Sequence, residues 1–239
     1  MRQSGNDGGT KKRYNMRYVI PNHPSDKIEE ELRGFIGLDR LYAYPGKPSA
    51  KNGGRVILDS GAYGLSVSGG KMTDSYMAGL NRHYTSYSRA IEGLLCAAPD
   101  VYPDPVQTLV NFQRWQGLGY YSDICPVIQL GEFYDADIAV KQAEIYSTLT
   151  QQRHIFIGNN MMTGKNALAF RVGDMIAAIK RIGFEWVHIF GAGWNIHDIQ
   201  DWMRVDGIDS MDSISYQGKR FGSDDPVQNV RDICELVGQ

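Results

Sequence analysis

Eight short apolar runs alternate with amphipathic helical stretches along this chain, and no other feature constrains its fold as strongly. The runs have strand length and composition, and they lie at residues 17–20, 41–44, 55–58, 93–98, 125–130, 154–157, 186–190 and 208–214. Strand–helix alternation is typical of a parallel sheet with helices outside it. We therefore predict an α/β fold, a (β/α)8 TIM-like barrel, with a doubly wound open sheet as the alternative because periodicity does not show closure.

Apolar spacing and boundary residues predict the helices between these runs. The predicted ranges are 25–36, 73–91, 105–117, 135–151, 167–182, 195–204 and 226–237. The expected N-caps are Asp26, Thr73, Asp135 and Asp225, and Pro105 and Pro226 suit first helical turns. The stretches 45–54 and 64–73 are rich in Gly, Pro, Ser and Lys and are predicted to be loops.

The length of 239 residues fits one domain. Residues 1–13 are rich in Gly, Ser, Asn and Lys and are expected to form a flexible arm. Residues 14–239 are then expected to form a single barrel, in which no internal repeat or domain break is visible.

Composition excludes several classes of protein. A hydrophobic content of 42% and a charged content of 22% are ordinary for a globular protein, and no apolar run approaches the roughly 20 residues that span a bilayer. No apolar signal core follows Lys11, Lys12 and Arg13, so we expect a cytoplasmic protein. The three cysteines form no Cys-x-x-Cys pair and the five histidines show no metal-ligand spacing. We therefore expect no disulfide, no metal and no cofactor.

Polar residues and glycines follow almost every predicted strand. The residues concerned are Asp59, Asp100, Gln129, the Gly158–Asn159 pair and the Gly191-Ala-Gly193 turn, and Asp212 lies within the last run. Strand ends of a parallel barrel meet at one mouth, where catalytic groups lie. An aspartate at an apolar strand costs desolvation energy unless it is compensated, so Asp59 and Asp212 predict two carboxylates converging on one site.

Each of these residues also has a possible structural role that involves no catalysis. A lone aspartate after a strand is more often a cap or turn former than a catalyst. Tyr63 is more typical of wall or core packing than of base stacking, and His188 is expected to be a satisfied core histidine. Asp209 and Asp212 lie three apart and point to opposite faces of a strand, so only one of them can face the site.

The order of these motifs resembles that of the tRNA-guanine transglycosylase superfamily, including its DNA-acting branch of 7-deazaguanine transglycosylases. Asp59-Ser-Gly-Ala-Tyr63 resembles the family's Asp-Ser-Gly-Gly-Phe motif. His188-Ile-Phe-Gly-Ala-Gly193, followed by Gly207-Ile-Asp-Ser-Met-Asp-Ser213, resembles its strand, Gly-x-Gly turn and nucleophile motif. The resemblance covers residues 55–222.

The resemblance implies a role for each matching residue. Asp212 would be the nucleophile that attacks C1′ of a nucleotide and forms a covalent glycosyl–enzyme intermediate, and Asp59 would be the general acid/base. Substrate binding would fall to Asp100, Gln129, Gly158, Asn159, Tyr63, Gly191 and Gly193. The partners would be DNA, with the target base flipped or already unpaired, and a free 7-deazaguanine base.

The chain also departs from the family pattern. No Cys/Cys/Cys/His zinc cluster follows Asp212, so zinc and the family's usual tRNA recognition are not expected. The segment Gly158-Asn-Asn-Met-Met162 replaces a Gly-Gly-Leu-Ala-type strand end, and Lys219 and Arg220 form a short basic loop suited to phosphate contacts.

Several functions remain open on the sequence alone. Base exchange in DNA is the leading expectation, and hydrolytic excision of a modified base, as in anti-phage defence or repair, is the main alternative. Base exchange in tRNA, a small-metabolite barrel enzyme and a catalytically inactive binding module are further alternatives.

Overall fold

The computed structural model describes residues 16–49, 53–130, 135–158, 172–193, 195–218 and 221–239. The predicted arm over residues 1–13 lies outside the described residues, as do Asn159, Lys219 and Arg220. Nine strands are described, namely β1 (Arg17–Pro21), β2 (Asp39–Ala43), β3 (Val56–Asp59), β4 (Leu95–Ala97), β5 (Ile124–Cys125), β6 (Val127–Gln129), β7 (His154–Gly158), β8 (Trp186–Phe190) and β9 (Ser210–Asp212).

All of these strands are parallel and form one sheet in the order β5-β4-β3-β2-β1-β9-β8-β7-β6. The two end strands, β5 and β6, are consecutive in the chain and are separated only by Pro126. Because proline has no N–H to donate, it interrupts what is otherwise one strand. Its carbonyl still accepts a 2.9 Å hydrogen bond from the Phe156 N–H. The sheet is therefore a nearly closed TIM-like barrel in a single domain, as predicted.

Eight α-helices are described around the sheet. They are α1 (Asp26–Leu32), α2 (Ala62–Val67), α3 (Asp74–Ser88), α4 (Pro105–Gly117), α5 (Ala136–Leu149), α6 (Val172–Ile182), α7 (Ile196–Trp202) and α8 (Pro226–Val237). Buried tyrosines tie two helices to strand ends: the Tyr84 hydroxyl donates to the Ala97 carbonyl at 2.7 Å, and the Tyr146 hydroxyl donates to the Val127 carbonyl at 2.9 Å. No helix in the described ranges has the length and apolar character needed to cross a bilayer.

The sequence predictions are confirmed for most elements, with two corrections. Thr73, Asp135 and Asp225 cap their helices through their side chains. The N-cap of α1 is Ser25, and Asp26 lies in the first turn, where its negative charge favours the helix dipole. Part of the loop predicted over 64–73 is wrong, because Gly64 to Val67 belong to the short helix α2.

Candidate active site

Six consecutive strand ends around the barrel carry the predicted site residues. Asp59, Gln129, Gly158 and Asp212 are the last residues of β3, β6, β7 and β9. Asp100 follows β4 and Gly191 follows β8. Because the strands are parallel, their carboxyl ends all open at the same mouth of the barrel.

A buried hydrogen-bond network joins three of these strand ends. The Ser60 hydroxyl donates to Asp100 Oδ1, and Gln129 Nε2 donates to Asp100 Oδ2 at 2.6 Å. Burial raises the pKa of Asp100, and the hydrogen bonds from Ser60 and Gln129 oppose that rise. The structure thus brings Asp100 and Gln129 together. It also adds Ser60, whose place in the Asp-Ser-Gly motif is the only sequence signal for its role.

Gly158 leaves room for this network. It pairs with Gln129 across β6 and β7, and a Cβ at position 158 would collide with the Gln129 carboxamide. Any larger residue would therefore displace the Gln129 side chain from Asp100.

Asp59 lies at a tight turn between β3 and α2. Its carboxylate accepts a 3.2 Å hydrogen bond from the Gly61 N–H. Gly61 has φ 76°, and a Cβ there would lie 2.8 Å from both the Tyr44 carbonyl and the Tyr76 hydroxyl, so the turn requires glycine.

The pKa of Asp59 is raised to about 8. Burial of the carboxyl group is the largest cause, followed by the charges of Asp100 and Asp212. At neutral pH the Asp59 side chain is therefore mostly a neutral carboxylic acid, which can give up a proton.

Asp212 has a different environment. It is 6% exposed, and its Oδ1 atom accepts hydrogen bonds from His188 Nε2 at 3.0 Å and from the Gly191 N–H at 3.2 Å. Donors that converge on a carboxylate oxygen stabilise its charged form. The Gly191 turn also holds the strand end, because the Ala192 N–H donates to the Asp212 carbonyl at 2.7 Å.

His188 has a closer relation to the site than the sequence predicts. It is fully buried, as a core histidine would be, but its Nε2 atom contacts Asp212 and its Nδ1 atom lies 2.7 Å from the Ser210 hydroxyl. Its partners lie 22 and 24 residues away, so no local pattern could have shown them.

Gly193, a predicted site residue, and Asp209, the second aspartate of the last predicted strand, both make structural hydrogen bonds. The Gly193 carbonyl accepts a 2.7 Å hydrogen bond from the Ser213 hydroxyl, which links the loops after β8 and β9. Asp209 accepts from the Val187 N–H at 2.7 Å and pairs with Lys180 at 2.8 Å. Asp209 is therefore part of the scaffold, and Asp212 is the aspartate of this pair that contacts His188 and the Gly191 turn.

A groove of about 420 Å³ opens beside Asp100. Its walls come from α2, the loop before α3, and the start of α4, and they include Leu65, Lys71, Tyr102 and Gln107. Tyr63 is 50% exposed and packs edge-on against Tyr102 at 5.6 Å. Tyr63 is therefore not part of the hydrophobic core, and its ring lies at the surface beside a residue that lines the groove.

No group of three or more His, Cys, Asp or Glu side chains is arranged to hold a metal ion among the residues whose structure is described. The site as described is made of carboxylates, amides, hydroxyls and one imidazole. Such groups can transfer protons, act as nucleophiles and bind polar ligands.

A comparison of the sequence with protein-family models gives no match, and a search of characterised proteins gives no significant match.

Proposed function

We propose that this protein cleaves the N-glycosidic bond of a nucleobase in DNA and replaces the base, through a covalent intermediate on Asp212 and with Asp59 as the general acid/base. The observation that carries the proposal is the contrast between these two aspartates. Burial and neighbouring charges raise the pKa of Asp59 to about 8, whereas Asp212 Oδ1 accepts two hydrogen bonds that stabilise a carboxylate.

Breaking a glycosidic bond requires one carboxylate that is ionised and one carboxyl group that carries a proton. Positive charge builds at the anomeric carbon as the base leaves, so a carboxylate must stand on one side and an acid near the leaving group. Asp212 supplies the electron pair that forms a bond to C1′, while the C1′–N bond breaks and its electron pair leaves with the base. Asp59 gives the departing base a proton and becomes a carboxylate. An incoming base then loses a proton to Asp59 and displaces Asp212 from C1′.

The Asp100–Gln129 pair supports a nucleobase as the leaving group. A carboxylate offers acceptors and an amide offers both a donor and an acceptor, which suits the hydrogen-bonding edge of a heterocycle. Asp100 already accepts from Ser60 and Gln129, yet each carboxylate oxygen has a second lone pair for a ligand N–H. A base in a duplex must leave the stack to reach such a site, and the exposed Tyr63 ring lies near Tyr102 at the edge of the groove.

The resemblance to the tRNA-guanine transglycosylase superfamily supports the same roles. The motifs that carry the resemblance lie at the ends of β3, β8 and β9, and Asp100 and Gln129, two of the residues implied to bind the base, are hydrogen-bonded to each other. Membership of that family is part of the proposal, since it rests on these motifs and on the site geometry.

Hydrolysis of the same intermediate is the second candidate. Water in place of an incoming base would give an abasic site. The groove of about 420 Å³ beside Asp100 favours this candidate, because it has room for water next to the site.

Incubation with DNA tests the proposal and separates the two outcomes. Modified and unmodified DNA, with matched RNA as a further arm, would be treated with the protein in the presence and absence of a labelled 7-deazaguanine base. Incorporation of label indicates exchange, and alkali-labile strand breaks indicate excision. Reaction of RNA alone would overturn the assignment to DNA, and release of no base from any strand would overturn the proposal as a whole.

A further inference from the structure

His188 is the one buried imidazole that contacts a proposed catalytic residue in the described part of the chain. It lies in the middle of β8, directly opposite Ser210 in the register of β8 and β9. Its Nδ1 atom is 2.7 Å from Ser210 Oγ, and its Nε2 atom is 3.0 Å from Asp212 Oδ1. The imidazole therefore bridges the first and last residues of β9.

Aromatic packing fixes the orientation of the His188 ring. The Trp186 ring is nearly parallel to it, at 5.7 Å and 8°. Phe156 and Phe190 meet it edge-on at 5.4 Å and 4.9 Å. Because packing already fixes the ring, its Nε2 atom faces Asp212 before the reaction begins, and the reaction costs no further side-chain entropy.

The proposed role of Asp212 as a carboxylate nucleophile implies which ring nitrogen of His188 donates to it. An ionised carboxylate can only accept, so His188 Nε2 must donate to Asp212. In a neutral imidazole the other nitrogen is then an acceptor, and Ser210 supplies the hydroxyl proton to Nδ1.

The two donors to Asp212 meet on one oxygen. His188 Nε2 and the Gly191 N–H both point to Oδ1. Within the described ranges, no side-chain or backbone donor is hydrogen-bonded to Oδ2. Among the described residues, Oδ1 is therefore the oxygen that donors occupy, and Oδ2 is the one we assign to the reacting carbon.

We infer that His188 is a positioning residue that makes Oδ2 of Asp212 the attacking atom and stabilises the Asp212 carboxylate when the covalent intermediate breaks down. The inference rests on the proposed function. In the first step Oδ2 forms the bond to C1′ as the base leaves with its electron pair. In the second step the incoming base or water forms a bond to C1′ and loses a proton to Asp59, the Oδ2–C1′ bond breaks, its electron pair returns to Asp212, and the negative charge spreads to Oδ1.

The charge on Oδ1 grows during breakdown, so the His188 donor matters most in that step. Loss of one fixed donor to a developing anion slows a reaction by about 10²–10³-fold in known enzymes. Removing the His188 N–H should therefore lengthen the life of the covalent intermediate, while an amide in its place should restore part of the effect.

The test compares His188→Leu, His188→Gln and wild type in a single-turnover reaction with DNA, using a denaturing gel to follow the protein–DNA adduct. We expect the adduct to persist about 10²-fold longer in His188→Leu and for an intermediate time in His188→Gln. His197→Leu is the matched control, because His197 is exposed on α7 and its ring hydrogen-bonds to the exposed Gln200, far in sequence from Asp212. Equal adduct lifetimes in all variants would overturn the inference and leave the proposed function intact.

Two further measurements keep the result interpretable. Ser210→Ala removes the hydroxyl that contacts Nδ1 without changing the His188 ring. We expect it to lengthen the adduct lifetime less than His188→Leu does. Nitrogen-15 NMR of histidine-labelled protein should show the Nε2–H tautomer for His188 in the wild type, and an Nδ1–H tautomer would overturn the inference. No adduct in the wild type on any strand would instead contradict the proposed function itself.

Discussion

The Gln129 side-chain amide donates a 2.6 Å hydrogen bond to Asp100, and Gly158 on the next strand leaves the space in which that amide lies. The bond joins the ends of β4 and β6, on either side of the point where Pro126 interrupts the barrel wall. The geometry of this hydrogen bond depends on Gly158 having no side chain as well as on Gln129 and Asp100.

Gly158→Ala should therefore impair binding without removing a functional group. The added methyl group would push the Gln129 carboxamide away from Asp100, and loss of a hydrogen bond to a charged group costs about 1.5–3 kcal/mol. We expect kcat/KM for base release to fall by about 10–100-fold, chiefly through KM. Gly173→Ala is the control, since among the described residues a Cβ there meets only Val205, at an ordinary 3.8 Å. An unchanged KM in Gly158→Ala would show that Gln129 does not bind the base.

The raised pKa of Asp59 predicts the pH dependence of activity. Its pKa of about 8 means that the acid form is lost as the pH rises beyond that value. We expect single-turnover base release to fall above pH 8 by about tenfold per pH unit.

Asp59→Asn should lower the rate about 10²–10⁴-fold and remove that pH dependence. A wild-type profile that stays flat between pH 7 and about pH 10 would show that Asp59 is not the proton donor. Rates measured in a single turnover are needed, because product release could hide the chemical step.

The same group predicts the pH dependence of stability. A carboxyl whose pKa is higher in the folded state than in the unfolded state, near 3.9, binds its proton more tightly when folded. The folded state is then favoured at low pH, and its advantage is lost as the pH rises from about 4 to about 8.

Replacing Asp59 by Asn removes the free-energy cost of burying an ionised carboxylate at high pH. We expect Asp59→Asn to have a higher Tm than the wild type at pH 9 and a similar Tm at pH 4, measured by thermal unfolding. Asp59→Asn that is less stable than the wild type at pH 9 would contradict the raised pKa.

A buried ion pair next to β1 gives a prediction about folding alone. Arg40 on β2 is 1% exposed and is held by Glu29 on α1, with a 2.5 Å bond from Nη2 to Oε2. Its Nη1 atom has no hydrogen-bond partner among the described residues. Removing one member of a buried pair leaves an uncompensated charge and typically costs about 3–5 kcal/mol.

Glu29→Ala should therefore lower the free energy of unfolding in urea by about that amount. Glu30→Ala, one residue further along α1, is the matched control because its 2.9 Å pair with Arg33 is exposed. An exposed pair is worth about 0–1 kcal/mol. Similar losses in the two variants would contradict the buried pairing of Arg40.

The barrel could be predicted from the sequence because its elements carry local signals. Each predicted strand corresponds to a strand in the structure, and α4 and α8 begin at Pro105 and Pro226 as expected. The helix α2 escaped prediction because it is six residues long and has no side-chain cap at Gly61. Its glycine and serine content is typical of a loop.

The site could be predicted only in part. Asp59, Asp100, Gln129 and Asp212 follow strands, so topology alone places them at one mouth. The contact between His188 and Asp212 depends on the pairing of β8 with β9, and the exposure of Tyr63 depends on the turn into α2. Neither follows from residues near in sequence.

A covalent adduct on Asp212 is the most direct test of the proposed chemistry. Wild type and Asp212→Asn would be quenched during reaction with DNA, digested, and analysed by mass spectrometry for the peptide that contains residue 212. We expect a deoxyribose-linked mass on Asp212 in the wild type, and neither adduct nor base release in Asp212→Asn. Base release by Asp212→Asn at the wild-type rate would contradict the role of Asp212 as the nucleophile.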